Sequence, residues 1–365
     1  MRIEEAVAKI ELIKAQPKKW LFGMDHAIDV AMLGLFTRVP FTAQGRKELG
    51  QAHMLWLDVP GVGKTDLVRA LSFAIDASSQ FIGGNPEMMP REIVGSEIYV
   101  QALGKFFLRK GPIFSNIILF DELNRTHPKA QAMFLQAMEE RIAILEETDV
   151  VKGDFRKIEF PLFPIKGGPK RFFWVLATAN PIENLGVYKV PEAQLDRFTF
   201  SYSIGHPPRE EEKKIRTDNV LSDVGGKRKE IEKVVDLCEV LEICDLIRET
   251  VPDPKRGPDE YIMRIIENSR PGRESRESAT DELKEYIDTY VLEGVSPRSN
   301  FHFAEGCRTQ AFMSSRSYIS LEDVKFIAPL VMAHRIILSP KALSGHITAK
   351  DVVKKILENT EVPVP

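Results

Sequence analysis

The sequence predicts an α/β protein in which a central parallel sheet, with helices on both faces, is followed by a smaller, all-helical domain. Within residues 54–204, continuous apolar runs alternate with stretches of helical periodicity. Apolar runs of this kind are typical of strands covered on both faces, and the alternating order favours a parallel sheet. Such runs disappear after Pro207-Pro208, where helical periodicity takes over. We therefore expect one domain at 1–208 and a second at 209–365.

The composition excludes several classes of protein. The 365 residues carry a net charge of −3, so nucleic acid is not an expected partner. The N-terminus is charged throughout and no run of about eighteen apolar residues occurs, which predicts a cytoplasmic protein without a membrane span. Three scattered cysteines and seven histidines without ligand spacing predict neither a disulfide framework nor a zinc site.

The first third of the chain is predicted to hold helices, one buried strand and a hairpin. Residues 3–36 predict two helices separated by a Gln-Pro pair, and the polar stretch 37–53 predicts a loop. The apolar MLWL run that follows is the first strand, and residues 66–77 have the 3.6-residue period of a helix. Residues 97–108 predict a hairpin, with Ala-Leu-Gly at its tip.

The remaining elements follow from the same reasoning. Apolar runs predict further buried strands at 113–122, 172–179 and 198–204. Helices are expected from Pro128 and from Pro191, since proline is favoured in the first helical turn. Two strands are expected around a Gly-Asp turn in the charged segment between the 128 helix and the 172 strand. In the second domain, residues 270–278 predict an exposed loop, and Ser-Pro-Arg at 296–298 predicts the start of another helix.

The turn after the first strand has the composition of a phosphate-binding loop. Gly61 and Gly63 permit a tight turn with N–H groups directed at anionic oxygens, Lys64 suits the β- and γ-phosphates, and Thr65 suits Mg²⁺. One departure from the motif G-x-x-x-x-G-K-[ST] is Asp58, which replaces the first glycine. The expected nucleotide-binding residues of this turn are Pro60, Gly61, Val62, Gly63, Lys64, Thr65 and Asp66.

Polar residues end two of the predicted strands. Because the carboxyl ends of parallel strands meet at one edge of a sheet, Asp121, Glu122 and Asn180 are expected near the phosphate loop. There Asp121 can hold Mg²⁺ together with Thr65, and Glu122 can polarise the water that attacks the γ-phosphorus. Asn180 can hydrogen bond to that water or to the γ-phosphate. The alternatives are a solvated acidic pair and an Asn-Pro turn.

Two arginines are candidates for charge stabilisation. Arg197 lies at the end of a predicted helix, just before a strand, and an arginine reserved for a phosphoryl group contributes about 10³ to 10⁵ in rate. Arg298, in the first turn of a helix of the second domain, can reach toward the phosphates and couple that domain to the nucleotide. The alternatives are an arginine that satisfies a helix C-terminus and an ordinary surface arginine.

The motifs DVPGVGKT, GPIFSNIILFDELNR, LATANPIENLGVYKVPEAQLDRF and GVSPR resemble those of the MoxR-type AAA+ ATPases, over most of 20–208 and more loosely over 261–335. The resemblance implies a P-loop AAA+ αβα sandwich with a helical lid, ATP and Mg²⁺ as ligands, and ring assembly, expected to be hexameric. It also implies roles in sequence order: Lys64 and Thr65 as Walker A, and Asp121 and Glu122 as Walker B. Asn180 would be sensor 1, Arg197 the arginine finger for the neighbouring subunit and Arg298 sensor 2.

Further expectations follow from the same resemblance. A Gly-Gln pair of the family corresponds to Gly23 and Met24, which we expect at the nucleotide. The hairpin at 97–108 resembles an insertion that faces the ring's pore or a partner. The implied function is chaperone-like remodelling of a protein client, with a von Willebrand factor A-type domain as one expected partner. A helicase-like nucleic-acid motor, suggested by basic residues in 152–171, and a weakly hydrolysing switch, suggested by Asp58, are the alternatives.

Overall fold

The computed structural model describes residues 1–365 except 20, 44, 58–62, 150–153, 163–171, 181–187, 189, 206–208, 212, 214–230, 256, 274–275 and 364–365. Its helices are α1 Ile3–Lys18, α2 Asp25–Phe36, α3 Lys64–Ala74, α4 Pro90–Val94, α5 Pro128–Glu140, α6 Glu192–Leu195, α7 Leu237–Thr250, α8 Gly257–Asn268, α9 Asp281–Tyr290, α10 Ser299–Met313, α11 Leu321–Met332, α12 Pro340–Ser344 and α13 Ala349–Asn359. Its strands are β1 Arg38–Ala43, β2 Arg46–Gln51, β3 Met54–Leu57, β4 Ser79–Gly83, β5 Gly95–Val100, β6 Lys105–Lys110, β7 Ile117–Asp121, β8 Ile142–Asp149, β9 Asp154–Pro161, β10 Trp174–Ala179, β11 Phe200–Tyr202, β12 Val291–Glu293 and β13 Ile337–Leu338.

A parallel sheet of five strands, in the order β11-β3-β10-β7-β4, forms the centre of the molecule. The four strands predicted from apolar runs are confirmed. Strand β4 was missed because Ser79 and Gln80 are polar and Phe81 is exposed, so no apolar run marks this edge strand. An edge strand is less buried than a central strand, so its sequence is less apolar, and the apolar pattern of β4 is therefore weak.

Side chains alternate between two hydrophobic cores, one on each face of the sheet. In β3, Met54 and Trp56 belong to one core, whereas Leu55 belongs to the other. The first core contains residues of α1 to α3 and of the C-terminal helices, and the second contains residues of α4, α5 and β8, with Phe160 of β9 packed against it. Because successive side chains of a strand point to opposite faces, a sheet covered on both sides requires the uninterrupted apolar runs that the sequence shows.

The segment predicted as a loop at 37–53 is instead an antiparallel hairpin of β1 and β2. The hairpin was missed because much of it is polar. Arg38, for example, donates to Asp245 Oδ1 at 2.7 Å and to the Leu49 carbonyl at 2.7 Å. A hairpin that makes its contacts through polar groups and presents its outer face to solvent lacks the apolar pattern on which the loop prediction depended.

The two other predicted hairpins, β5–β6 and β8–β9, are confirmed. On β5–β6, large apolar side chains are exposed on both faces, since Ile98 is paired with Phe107 and Tyr99 with Phe106. Exposure of a contiguous apolar patch is typical of an interaction surface. The expectation that this hairpin faces a pore or a partner stays a prediction.

The C-terminal part is helical, as predicted, with a short β12–β13 pair. Helix α10 begins at Ser299, two residues after the predicted first helical residue, Pro297. The stretch predicted as an exposed loop contains a buried residue, Arg276, whose Nη2 donates to both carboxylate oxygens of Asp288 at 2.9 Å. A buried charge of this kind is stabilised by its partner, which sequence composition does not reveal. No helix in the described part of the chain is long and apolar enough to cross a membrane.

Candidate functional site

The first turn of α3 carries the predicted phosphate-binding residues. Gly63 precedes the helix with φ +81°, a left-handed conformation that favours glycine, and its carbonyl accepts the N–H of Leu67 at 3.0 Å. Lys64 and Thr65 are therefore the first two helical residues and Asp66 follows. The N–H groups of a first turn lack intrahelical partners and favour anions. The predicted residues 60–62, and Asp58, lie outside the described residues.

Met24, which follows Gly23, lies next to this turn. Gly23 has φ +71°, and Met24 is buried. A Cβ added to Gly63 would lie 3.2 Å from the Sδ of Met24. The two predicted segments are therefore in contact, although they are far apart in the chain.

At the carboxyl edge of the sheet, Asp121 and Glu122 are held by a residue that the sequence reasoning missed. The Oγ1 of Thr178 donates to Asp121 Oδ1 at 2.5 Å and accepts the backbone N–H of Glu122 at 2.9 Å. Strands β7 and β10 are in register with Phe120 opposite Ala177, which places Thr178 level with Asp121. A polar residue inside the apolar run LATA was the available signal. A single hydroxyl thus orients both acidic residues.

The backbone at Glu122 has φ +54°, which is rare for a residue with a side chain and is common at functional sites. Its carbonyl faces Gly84 closely enough that a Cβ on Gly84 would lie 2.2 Å from the oxygen. The Gly84 N–H donates to the Asp121 carbonyl at 2.8 Å. The carboxylate of Glu122 is 3.5 Å from Nη1 of Arg125. The strand end therefore has one tightly packed conformation that directs the Glu122 side chain.

Asn180 directly follows β10 at the same edge and is 8% exposed. The side chain of Asn124 holds its backbone on both sides: Nδ2 donates to the Asn180 carbonyl at 3.0 Å, and Oδ1 accepts its N–H at 3.4 Å. The parallel pairing of β10 with β3 and β7 brings the ends of these strands together. Asp121, Glu122 and Asn180 thus share one edge of the sheet, as predicted, and the segment that leads to Lys64 leaves β3 at the same edge.

Arg197 and Arg298 lie at the opposite, amino edge. Arg197 comes three residues before β11, whose first residue, Phe200, is paired with Met54 at the start of β3. Strand β3, which is four residues long, runs from this edge toward the Lys64 turn. At about 3.3 Å per residue, the two edges are roughly 13 Å apart. The structure therefore does not bring the two arginines to the Lys64 turn of their own chain.

The two arginines share one acidic partner, Glu139. The Nε of Arg197 lies 2.8 Å from Glu139 Oε2, and Nη1 of Arg298 lies 3.1 Å from Glu139 Oε1. They line a pocket of about 570 Å³, together with Lys47 and the buried Arg141. Nothing in the sequence marked Glu139, which is the first of two glutamates at the end of an amphipathic helix.

Asp196, which precedes Arg197, connects the α/β part of the chain to the helical part. The Nε of the buried Arg335 donates to Asp196 Oδ1 at 2.7 Å, and Ser296 Oγ lies 3.1 Å from both carboxylate oxygens. A further bond, at 2.6 Å, joins Arg335 Nη2 to His302 Nδ1. Burial lowers the pKa of Arg335 to about 10, and Asp196 partly offsets this effect. The buried contact orients the segment from which Arg197 and Arg298 project.

The buried His53 supports the same region from the sheet side. Its Nδ1 accepts the N–H of Val175 at 3.0 Å, and its Nε2 is 3.2 Å from the Met138 carbonyl. These partners require a neutral ring with the proton on Nε2. Burial, with the charge of Arg141 as the second cause, holds the pKa of His53 well below 6.5. The ring links β10 to the end of α5, next to Glu139.

Comparison with known proteins agrees with this geometry. Residues 53–160 and 167–200 match the ATPase family associated with various cellular activities, AAA, and residues 284–356 match the AAA lid domain. A crystal structure of a "putative ATPase" from Cytophaga hutchinsonii has a TM-score of 0.80 and 28% identity, and the alignment covers 99% of this chain and 97% of that one.

Curated relatives are similar over most of their length. The uncharacterized protein YeaC of Bacillus subtilis is 33% identical over 325 residues, which is 87% of each chain. Chaperone MoxR1 of Mycobacterium tuberculosis is 29% identical over 349 residues, covering 95% of this chain and 80% of the relative. Protein MoxR of Methylorubrum extorquens is 24% identical over 358 residues, covering 94% and 92%.

The parallel sheet, the helical lid and these matches define an ATP hydrolase of the AAA+ class. Within that class, the chain belongs to the MoxR-type ATPases, a chaperone-like family.

Proposed function

We propose that copies of this chain assemble into a ring, which couples ATP hydrolysis to the remodelling, assembly or activation of a protein client. The observation that carries the proposal is the division of the site between two edges of the sheet. The residues suited to binding and hydrolysis lie at the carboxyl edge, whereas Arg197 and Arg298 lie at the amino edge. Two copies in contact would supply both halves of one site.

In the half at the carboxyl edge, Lys64 and the first turn of α3 would bind the phosphates of ATP. Glu122 would orient the attacking water and polarise it, and Asn180 would hydrogen bond to that water or to the γ-phosphate. Thr65 and Asp121 fit Mg²⁺, because both offer oxygen ligands and Thr178 orients the carboxylate of Asp121. When bound, the metal would neutralise charge on the phosphates.

In the half at the amino edge, Arg197 and Arg298 would stabilise the charge on the ATP of a neighbouring copy. Guanidinium groups suit phosphate oxygens, and both arginines line an open pocket. An isolated subunit would then be nearly inactive. The hexameric state, the division at 1–208 and 209–365 and the cytoplasmic location remain parts of this proposal.

The client is proposed from the relatives, of which one is named a chaperone. A protein with a von Willebrand factor A-type domain is the proposed class of partner, and it rests on the family resemblance alone. The nucleic-acid alternative depends on basic residues at 152–171, most of which lie outside the described residues. No contact of the described residues favours it.

The test is to measure the ATPase rate as a function of protein concentration, with the nucleotide-dependent mass determined by light scattering. We expect specific activity to rise with assembly, and Arg197→Ala to lower kcat by about 10³-fold or more without changing the assembled mass. Arg273→Ala removes an exposed arginine elsewhere and is the matched control. Unchanged turnover of Arg197→Ala in a verified oligomer, or rapid hydrolysis by a monomer at every concentration, would refute the proposal.

A further inference from the structure

Glu139 connects the two parts of the chain through the arginines at the amino edge. It lies in the last turn of α5, in the α/β part. Its Oε2 contacts Arg197, which belongs to the same part, at 2.8 Å, and its Oε1 contacts Arg298, which directly precedes α10 of the helical part, at 3.1 Å. Each oxygen of one carboxylate therefore holds one guanidinium group.

A second carboxylate nearby does not replace Glu139. Asp196 is engaged by Arg335 at 2.7 Å and by Ser296, and it lies 4.0 Å from the Nε of Arg298. Within the described part of the chain, Glu139 is the carboxylate paired with Arg197. Asp196 is thus the ion-pair partner of the buried Arg335, and Glu139 is the partner of the two arginines that line the pocket.

Charge explains why two neighbouring guanidinium groups need such a partner. Two cations side by side repel each other, and one carboxylate between them offsets that repulsion while leaving a net charge of +1 for an anionic ligand. The side chain of Arg298 is 48% exposed, so without a partner it would lose its fixed orientation. Arginines that are already oriented bind phosphate with less loss of entropy.

We propose that Glu139 is a positioning residue that holds Arg197 and Arg298 side by side, so that both act together on the triphosphate of a neighbouring copy. This inference rests on the proposed function. It also implies that Glu139 couples the lid to hydrolysis, because movement of the helical part would pull Arg298 away from its partner. Glu139 itself does not contact the nucleotide in this arrangement.

The test uses Glu139→Gln, which keeps the shape of the side chain and removes its charge. We expect kcat for ATP to fall at least tenfold, with KM within about twofold, because the variant's own phosphate-binding turn is intact. Glu140→Gln is the matched control, since Glu140 is the next residue and its Oε1 accepts a hydrogen bond from Nε2 of Gln136, on the same helix, at 3.1 Å. Wild-type kcat for Glu139→Gln, or an equal loss in Glu140→Gln, would overturn the inference.

A mixing experiment separates positioning in trans from damage to the variant's own site. Glu122→Gln provides an inactive helper subunit with intact arginines. In an equal mixture with Glu139→Gln, about a quarter of the sites would combine an intact hydrolytic half with intact arginines from the neighbour, as expected for a head-to-tail ring. We therefore expect turnover to recover to about a quarter of the wild-type value.

The same mixture made with Arg197→Ala distinguishes the two proposals. Recovery with Arg197→Ala but not with Glu139→Gln would overturn the role of Glu139 and leave the ring mechanism standing. Recovery with neither variant would overturn both. If Glu139→Gln fails to assemble, Glu139→Asp takes its place. It keeps the charge but is one methylene shorter, so we expect a smaller loss of kcat and the same recovery on mixing.

Discussion

The hydroxyl of Thr178 is predicted to be essential for the acidic end of β7, and Thr178→Val tests this with almost no change in volume. Thr178 is 1% exposed, and its Oγ1 bonds both to Asp121 Oδ1 and to the N–H of Glu122. Valine would remove the donor to a carboxylate and leave the partly buried N–H of Glu122 without its partner. A hydrogen bond to a charged group contributes about 1.5–3 kcal/mol, and an unsatisfied buried donor costs about 1–3 kcal/mol.

These values predict that Thr178→Val lowers the free energy of unfolding by about 2–4 kcal/mol, since the two effects overlap and relaxation recovers part of the loss. We also expect kcat for ATP to fall about 10- to 100-fold, because Asp121 and Glu122 lose their common orientation. The first effect is measured by urea denaturation, and the second by steady-state ATPase kinetics at saturating ATP and Mg²⁺.

Thr178→Ser is the matched control, because it keeps the hydroxyl and removes one methyl group. We expect it to retain most of the activity and to lose about 1 kcal/mol of stability through the missing methyl group. If valine supports wild-type kcat, or if serine is as inactive as valine, the hydroxyl does not have the role that the geometry indicates.

Two other predictions concern stability. Three histidines are buried with the pKa held well below 6.5, by burial first and by a neighbouring arginine second: His53, His302 and His334. These histidines bind protons more readily in the unfolded chain, so the free energy of unfolding should decrease as pH falls below 6.5. The decrease is up to about 1.4 kcal/mol per pH unit for each ring. A free energy of unfolding that stays constant between pH 7 and 5.5 in urea titrations would contradict this. The second prediction is that Gly84→Ala lowers the free energy of unfolding by about 2–4 kcal/mol, because its Cβ would lie 2.2 Å from the Glu122 carbonyl oxygen. Gly257→Ala, whose Cβ would meet nothing within 4 Å, should change stability little, and equal losses in the two variants would argue against steric contact as the cause.

The local pattern of the chain was sufficient to predict most of the central sheet. Strands β3, β7 and β10 are buried on both faces, so each is marked by a continuous apolar run. Strand β11, at the edge of the sheet opposite β4, is marked instead by buried aromatic residues, Phe198 and Phe200. The edge strand β4 and the polar β1–β2 hairpin have no such run, and both were missed. Periodicity detects elements whose burial dictates their composition, and it fails where half of an element faces solvent.

In the candidate site, too, some residues could be predicted from the sequence and others could not. The positions of Asp121, Glu122 and Asn180 at one edge follow from the rule that parallel strands end together. The partners that orient them, Thr178 and Asn124, come from other segments of the chain and were not predicted. A residue that acts through its neighbours has no motif of its own, because its role exists only after the chain has folded.

By itself, the sequence determined the class of protein and four of the five strands of the central sheet, and it predicted the residues of a phosphate-binding turn, because these depend on local composition and on short motifs. Only the tertiary structure decided that Arg197 and Arg298 lie away from that turn and share Glu139. The physical reason is that hydrogen bonds and ion pairs depend on distances between atoms of segments remote in the chain. The packing of the helical part against the sheet sets these distances.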